Sequence, residues 1–332
     1  MTTLTLAGDR LRRTVANQQR YVPVLATLAV VALMFAFGYS RNEAFLSGQV
    51  YLNVFIDNAF LLVIAVGMTF VLLTGGIDLS VGSVMALSTM LTASLVEQRG
   101  WPSPLVVLLV LAVGTLGGLG MGAIIHYFDI QPFIVTLAGM FLARGLAHVI
   151  STDTIKVTDP TLTRLGDQRI PLSSELKISI SVVIALVVVA VAFWVLHYTR
   201  FGRNVYAIGG SEQSAMLMGL PVAKTKIWVY GVSGFCAALG GVLFTLYTLS
   251  GYSLNGVGLE LEAIAAVVIG GTLLTGGSGF VLGTVLGVMA TGVIQTLINF
   301  EGNLNSWWTR IAVGVLLLAF ILLQRVLSAR KT

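Results

Sequence analysis

Charged side chains are scarce in this sequence. Lys, Arg, Asp and Glu together make up 10% of its 332 residues, whereas 56% are hydrophobic. A typical soluble domain is about 25% charged, so this composition excludes an ordinary soluble protein and indicates an integral membrane protein. Each charge that does occur within an apolar block is informative, because a charge inside a bilayer is costly.

Cysteine and histidine are nearly absent. The single cysteine, Cys236, lies in an apolar segment, so no disulfide can form within the chain and redox chemistry is not expected. The three histidines stand apart, without an HExxH motif or a Cys/His cluster. No GxxxxGK[ST] sequence is present, which excludes P-loop binding of ATP by this chain. We therefore predict a chain that is not an enzyme and has no catalytic residues, metal site or nucleic-acid partner.

Long apolar blocks occupy most of the sequence. Each is near the 20 or so residues that cross a bilayer as a helix, and none alternates as a barrel strand does. The pattern predicts an all-α integral membrane protein with about ten transmembrane helices in a single permease domain, residues 22–323. The predicted spans are 22–39, 50–73, 79–96, 105–125, 133–150, 178–198, 227–249, 261–274, 280–300 and 307–323.

Lys and Arg are unevenly divided between the two sides of the membrane. With ten spans, residues 1–21, 199–226 and 324–332 share one side and hold eleven of the nineteen basic residues with only two acids. The positive-inside rule places that side in the cytoplasm. We therefore expect cytoplasmic N- and C-terminal tails and a cytoplasmic loop at 199–226. The outer loop, residues 151–177, has mixed charge, which suits a solvated face or a docking rim for an extracytoplasmic binding protein.

The cytoplasmic loop 199–226 contains signals for a short helix. Ser211 is a good N-cap, Glu212 suits a helix N-terminus, and Gly219 suits a helix end. These signals predict a helix over residues 212–218. Such a short helix is not stable alone in water, so it should be docked on something.

The apolar residues of this predicted helix suggest what it docks on. Met216, Leu217 and Met218 form an adaptable apolar surface of the kind that enters a groove on a partner. A solvated linker with a capped turn is the alternative.

Glycines mark two further features. Gly114, Gly118 and Gly122 are spaced by four, which allows another helix to approach closely, within the subunit or at a subunit interface. The pentapeptide Leu-Leu-Thr-Gly-Gly occurs at residues 72–76 and again at 273–277.

The repeated pentapeptide favours an internal repeat. Gly82 and Gly283 keep the same offset from the two copies, and transporters are often built from repeats. Convergence on a glycine turn is the alternative. The segment 261–274 is short and interrupted by glycine, which points to a broken helix lining a path.

Polar residues within or beside the spans are candidates for a substrate path, because such residues are costly in a bilayer. Amides match pairs of sugar hydroxyls, and indoles stack on the apolar face of a sugar ring. The set therefore suits a neutral polyhydroxyl solute, with an interfacial aromatic belt as the alternative. The candidates are Asn53, Asp57, Asn58, Thr69, Gln295, Asn299, Trp307 and Trp308.

Other charges near the spans have structural interpretations. Asp57 could instead lie at the membrane interface or pair with a cation, and Arg144 or Arg310 could pair with Asp57 or Glu262. Asp78 is an N-cap type of residue and could cap the third span.

Three stretches resemble the ribose-type sugar permeases of ATP-binding-cassette (ABC) importers, and the similarity covers nearly the whole chain. They are FGRNVYAIGGSEQSAMLMG, TFVLLTGGIDLSVGSVMAL and VVIGGTLLTGGSGFVLGTV. The run INFEGNLNSWWTRIAVGVLL adds a particular likeness to the permeases of bacterial galactofuranose importers. Permeases of ABC importers carry Glu-Ala-Ala, three residues and Gly in a cytoplasmic loop. Here Gln213-Ser214-Ala215 is followed by Gly219, and only the second Ala and the Gly match.

The resemblance implies a type II-like permease in the bacterial inner membrane, acting in an ATP-driven, binding-protein-dependent monosaccharide importer. Implied partners are a second permease, as a heterodimer rather than a homodimer, and a periplasmic or lipid-anchored sugar-binding protein. A cytoplasmic double-cassette ATPase would hold ATP and magnesium, and this chain would bind no cofactor. Residues expected to couple to the ATPase are Arg203, Tyr206, Ser211, Glu212, Gln213, Ala215, Met216, Met218 and Gly219.

Other classes of transporter stay open from the residues alone. A proton- or sodium-driven transporter would need an intramembrane carboxylate such as Asp57, and a passive channel would need no energy. An ABC permease for branched-chain amino acids is the nearest alternative in substrate.

Overall fold

The computed structural model describes residues 22–173, 176–301 and 307–329. The predicted N-terminal tail and residues 330–332 lie outside these ranges. Within them the chain forms thirteen α-helices. These are α1 (Val22–Arg41), α2 (Gly48–Leu73), α3 (Val81–Ala93), α4 (Ser103–Tyr127), α5 (Pro132–Ile150), α6 (Pro160–Asp167), α7 (Ile180–Tyr198), α8 (Arg200–Gly210), α9 (Glu212–Leu217), α10 (Val222–Thr248), α11 (Leu259–Ile269), α12 (Val281–Glu301) and α13 (Trp307–Ala329). A 3₁₀ turn, Glu43–Leu46, follows α1, and a π-helical turn, Ser94–Gln98, extends α3.

Seven helices of the described chain are long and apolar enough to cross a membrane: α1, α2, α4, α5, α7, α10 and α12. The other three predicted spans differ. Helix α3 has 13 residues before its π-helical turn, and the apolar part of α13 covers Trp307–Leu322. The total of ten spans and the cytoplasmic position of the termini therefore stay predictions.

Helix α11 corrects the predicted span at residues 261–274. It has 11 residues and is about 16 Å long, half of the roughly 30 Å hydrocarbon core. Gly270 and Gly271 end it, and Gly271 has a φ of 95°. The span is thus not one continuous helix, and the predicted interruption is confirmed.

The centre of the protein is formed by α2 and α10. Every residue of α2 from Leu61 to Leu73 is buried, because neighbouring helices cover it on all sides, and α10 packs against α2, α3 and α4. Helices α1 and α5 expose most of their apolar side chains, as expected of helices at the edge of a membrane protein.

The glycines spaced by four in α4 allow its contact with α10. A Cβ atom on Gly114 would lie 2.6 Å from the Gly234 carbonyl oxygen, and one on Gly122 would lie 2.8 Å from the Ile227 Cα. The predicted packing within the subunit is confirmed. Gly117, on the other side of α4, has open space beside it.

Four short strands depart from the expected all-α fold. Antiparallel pairs join β1 (Ile155–Lys156) to β4 (Ser250–Gly251), and β2 (Arg169–Pro171) to β3 (Lys177–Ser179). They lie between residues 155 and 179 and directly after α10, where backbone groups freed by the helix ends find partners in each other.

Candidate functional site

Helix α9 has the predicted ends. The Ser211 hydroxyl accepts a hydrogen bond from the Ser214 amide at 3.2 Å. At the other end Gly219 has a φ of 74°, and the Leu220 amide donates to the Ala215 carbonyl at 3.1 Å. This is a Schellman motif, which favours glycine at the left-handed position. The helix covers Glu212–Leu217, one residue shorter than predicted.

Two contacts hold α9 against the rest of the protein. Ala215 is fully buried in a small cluster with Ile208, Leu220 and Val222. Glu212 accepts hydrogen bonds from the Lys226 ammonium at 2.7 and 2.8 Å. This ion pair was not predicted, because the two residues are 14 positions apart in sequence and no helical spacing relates them.

The side of α9 that faces away from the rest of the protein is apolar and exposed. Met216 is 59%, Leu217 89% and Met218 67% exposed, and Gln213 is exposed beside them. Adjacent exposed large apolar side chains mark interaction surfaces. We call Met216, Leu217 and Met218 the α9 patch.

Arg203 and Tyr206, which were also predicted to couple to the ATPase, differ in their surroundings. Arg203 is exposed on α8, whereas the Tyr206 hydroxyl donates to the Gly279 carbonyl at 2.9 Å. Tyr206 therefore fastens α8 to the turn before α12 and is not part of the exposed surface.

The two Leu-Leu-Thr-Gly-Gly turns meet where α8 ends. The Gly277 amide donates to the Leu73 carbonyl at 2.9 Å. A Cβ on Gly277 would lie 2.9 Å from the Gly210 nitrogen, and one on Gly276 would lie 2.7 Å from the Gly75 nitrogen. A Cβ on Gly209 would overlap the Leu73 carbonyl. We call Gly75, Gly209, Gly276 and Gly277 the glycine junction; only glycines permit this close approach of three backbones.

An irregular segment, residues 252–258, precedes α11. It runs beside α3, since a Cβ on Gly82 would lie 2.5 Å from the Gly256 carbonyl oxygen. Arg144 of α5 donates to the carbonyls of Ser253 and Asn255, both at 2.7 Å. The guanidinium thus satisfies two backbone oxygens that no helix pairs, which matters in a bilayer, where water cannot do so.

Glu260 attracts Arg144 electrostatically, whereas the pairing considered from the sequence was with Asp57 or Glu262. Arg310 attracts Glu262 electrostatically and lies 4.7 Å from the centre of the Trp307 ring. Cationic and aromatic groups are thus adjacent at the start of α13.

Two of the predicted path residues are buried between helices. The Thr69 hydroxyl lies 2.8 Å from that of Thr284 and joins α2 to α12. The Asn58 side-chain amide donates to the Val54 carbonyl at 2.9 Å. A Cβ on Gly292 would lie 2.7 Å from the Asn58 Nδ2. In this conformation both residues pack helices together.

The other predicted path residues are at least partly accessible and lie in the first half of α2, in the second half of α12 and at the start of α13. Asn53 accepts from Gln49 at 2.9 Å, and Asp57 accepts from the Tyr247 hydroxyl at 3.2 Å. Gln295 is half-buried, whereas Asn299, Trp307 and Trp308 are exposed. The hydrogen bonds among the described residues do not gather this set into one site.

Asp78 has a structural place. Its carboxylate accepts from the Ser80 amide at 2.9 Å, from the Ser80 hydroxyl at 2.6 Å and from the Ser233 hydroxyl at 2.7 Å. Ser80 occupies the N-cap position of α3. Asp78 therefore braces the turn before α3 and ties it to α10.

Comparisons with known proteins cover almost all of this architecture. A family model described as branched-chain amino acid transport system / permease component matches residues 50–321. The inner membrane ABC transporter permease protein YjfF of Escherichia coli (strain K12) is 46% identical over 310 residues, 93% of this chain and 94% of the relative. The fructose import permease protein FruG of Bifidobacterium longum (strain NCC 2705) is 41% identical, covering 94% of this chain and 93% of the relative. The ribose import permease protein RbsC of Escherichia coli (strain K12) is 34% identical, covering 98% and 99%.

No solved structure matches the chain. The family match extends from the start of α2 into α13 and includes the glycine junction, α9 and the irregular segment. With its long apolar helices, the chain is a multi-pass inner-membrane protein, as predicted. It belongs to the family of branched-chain amino acid transport system permease components.

Proposed function

We propose that this chain is the transmembrane subunit of an ATP-driven sugar importer and that α9 binds a separate ATPase. The observation that carries the proposal is the α9 patch. A helix of 6 residues is held by Ala215 and by the Glu212–Lys226 pair, yet it presents large apolar side chains outward. Their exposure is costly unless a partner covers them.

The proposed substrate is a monosaccharide, with galactofuranose favoured. Relatives named as fructose and ribose import permeases support the sugar class, and the run from Ile298 to Leu317 supports galactofuranose through its resemblance. Branched-chain amino acids are the second candidate, because the family description names them. Competition for uptake by galactofuranose, ribose and leucine separates these candidates.

A second permease subunit is proposed to cover the irregular segment. Leu254 and Val257 of the segment are 47% and 56% exposed, and Leu261 of α11 is 63% exposed, so this side lacks cover within the described chain. Irregular backbone at membrane depth does not face lipid; it is buried in protein or lines an aqueous cavity. The substrate path would therefore run between the subunits here, with a sister permease favoured as the partner.

The glycine junction supplies the mechanical link in this proposal. Helix α9 directly follows Gly209 and Gly210, which contact the turns after α2 and before α12. When ATP and magnesium close the ATPase, movement of α9 would reach both turns and tip the helices from inward-open to outward-open. A periplasmic or lipid-anchored binding protein would then release sugar, and ATP hydrolysis would reset the subunits.

The test replaces Met216 and Met218 with Asp in the full importer. The variant should insert normally and lose co-purification with the ATPase, because two carboxylates cannot be buried unpaired in an apolar groove. Leu172→Asp is a matched control, since Leu172 is 60% exposed in the outer loop. Retained co-purification in the double variant would refute the docking role of α9.

Uptake into vesicles tests the energy source. Sugar should accumulate only when ATP and the binding protein are both supplied. Accumulation against a gradient without the ATPase would indicate a secondary transporter, and equilibration without any energy would indicate a channel.

A further inference from the structure

A basic cavity lies beside α9, between the start of α8 and the start of α10. Its volume is about 540 Å³. Three cationic side chains line it, those of Arg200, Arg203 and Lys224, together with the apolar or aromatic side chains of Phe201, Leu220 and Trp228.

The three cations have no anionic partner within the described ranges. The acid of this loop, Glu212, is bonded to Lys226, which does not line the cavity. Like charges around one cavity repel one another, so an anion bound between them would be stabilised. The cavity therefore has the charge of an anion-binding site.

The depth of the cavity places it at the membrane surface. Arg200 follows the apolar helix α7 by two residues, and α7 ends at Tyr198. Helix α10 has 27 residues and is about 40 Å long, so its first turns extend beyond the roughly 30 Å core. Trp228 lies about 9 Å along α10 from Val222 and is 46% exposed. Tryptophan at this depth is typical of the boundary between headgroups and hydrocarbon.

We propose that this cavity binds the headgroup of an anionic phospholipid. Its phosphate would lie among Arg200, Arg203 and Lys224, and the glycerol and upper acyl chain would contact Phe201, Leu220 and Trp228. Basic pockets between transmembrane helices bind such headgroups. A lipid fits better than a carboxylate of a soluble partner, because the cavity extends from the charged rim to a side chain at the hydrocarbon boundary.

Fluorescence of Trp228 provides the test. The full importer is placed in nanodiscs of phosphatidylcholine with increasing phosphatidylglycerol, one of the two lipids being brominated near its headgroup. Subtracting the signal of Trp228→Phe isolates Trp228. Brominated phosphatidylglycerol should quench Trp228 at a far lower mole fraction than brominated phosphatidylcholine. In Arg200→Gln/Lys224→Gln the half-saturating fraction should rise about thirtyfold, as expected for the loss of two cations near a membrane surface.

Lys156→Gln, an exposed cation of the outer loop, is the matched control and should leave the curve unchanged. Equal quenching of the unmodified protein by both lipids would overturn the proposal even if the double variant failed to fold. Loss of the preference in millimolar inorganic phosphate would show a site for free phosphate instead of lipid. Loss of the preference only when the ATPase is bound would show that the ATPase occupies the cavity, which also overturns the proposal.

Discussion

The two Leu-Leu-Thr-Gly-Gly copies have the same five residues and different surroundings. The first ends α2, a helix of 26 residues. The second follows α11, which has already ended after 11 residues. The difference begins just upstream, where Thr69 and Phe70 occupy the positions that Gly270 and Gly271 occupy in the second copy. Gly271 adopts a left-handed conformation that stops α11, whereas Thr69 and Phe70 let α2 continue.

The turns themselves also differ. In the first, Gly75 has a φ of 78° and the Gly76 amide bonds back to the Val71 carbonyl at 3.1 Å, as in a helix end. In the second, Gly276 and Gly277 both have positive φ, and the Gly277 amide bonds to the first copy. The first copy caps a helix, and the second makes a tertiary contact. Glycine permits both backbone conformations, and the neighbouring backbone determines which one is adopted.

The glycines at equal offset also have different neighbours. Gly82 admits the Gly256 carbonyl, before α11, and Gly283 admits the Gly270 carbonyl, after α11. The short helix therefore lies between α3 and α12, the helices that follow the two copies, with one of its ends against each.

The largest effect is expected from breaking the contact between the copies. Gly209→Ala places a Cβ on the Leu73 carbonyl and the Gly277 nitrogen, so we expect the free energy of unfolding to fall by about 3 kcal/mol. Gly210→Ala is the matched control, because nothing lies within 4 Å of its Cβ position, and its change should stay within about 0.5 kcal/mol. Thermal unfolding of the purified proteins measures both. Equal losses in the two variants would contradict the close approach at the junction.

An intermediate effect is expected from the hydroxyl pair that joins the copies farther from the junction. Thr69→Val and Thr284→Val should each cost about 1 kcal/mol, because each removes the hydrogen bond between the two buried hydroxyls. In Thr284→Val the Thr69 hydroxyl keeps its bond to the Ala65 carbonyl. The double variant should cost less than the two together, with a coupling energy of about 0.5–1 kcal/mol. Thr291→Val is the control, since Thr291 is buried in α12 and bonds within its own helix. The cost of Thr291→Val should simply add to the cost of Thr69→Val. If the costs of Thr69→Val and Thr284→Val also added, the two hydroxyls would not be coupled, and this prediction would be wrong.

The smallest effect concerns the far end of α3, the helix that follows the first copy, where the π-helical turn lies. Burial raises the pKa of Glu97, but hydrogen bonds from the Thr158 amide and hydroxyl and the Asp159 amide outweigh it and hold the pKa below the ordinary 4.5. Burial raises the pKa of Asp159 too, and bonds from Ser103, Leu162 and Thr161 outweigh it. A lowered folded pKa means that the stabilisation is complete above about pH 4.5 and is lost as the pH falls.

Glu97→Gln should therefore weaken the outer loop at neutral pH by less than about 1 kcal/mol, since the site is open to solvent. The same change should reduce the loss of stability between pH 4.5 and pH 3. Proteolysis of the outer loop as a function of pH measures this. Asp153→Asn, in the same loop, is the control, and a pH profile in Glu97→Gln identical to that of the unmodified protein would contradict the role of Glu97.

Local signals explain which elements could be predicted. Helix α9 lies where Ser211 and Gly219 predict it, because caps act over three or four residues of the same chain. The spacing of Gly114, Gly118 and Gly122 predicted close helix packing, and the structure shows that the partner is α10 of the same chain. Helix α8 and the short strands were not predicted. The pair of β1 and β4 joins segments that are distant in sequence.

The candidate path shows where such reasoning stops. Asn58 and Thr69 are polar residues in an apolar helix, and the sequence alone does not distinguish them from Asn53 and Asp57 in the same helix. Their different burial comes from α12, whose Gly292 and Thr284 meet them. The target of Arg144 likewise lies more than 100 residues away, at Ser253 and Asn255.

By itself, the sequence determined that this chain is a membrane protein of long apolar helices with a capped helix between α8 and α10. Hydrophobic length and helix caps depend only on neighbouring residues. Only the tertiary structure decided that both pentapeptide turns meet at Gly209, that Arg144 supports the irregular segment before α11, and that three cations surround one cavity. Those features arise when backbones and charges from distant segments come within a few ångströms, where packing and Coulomb forces act.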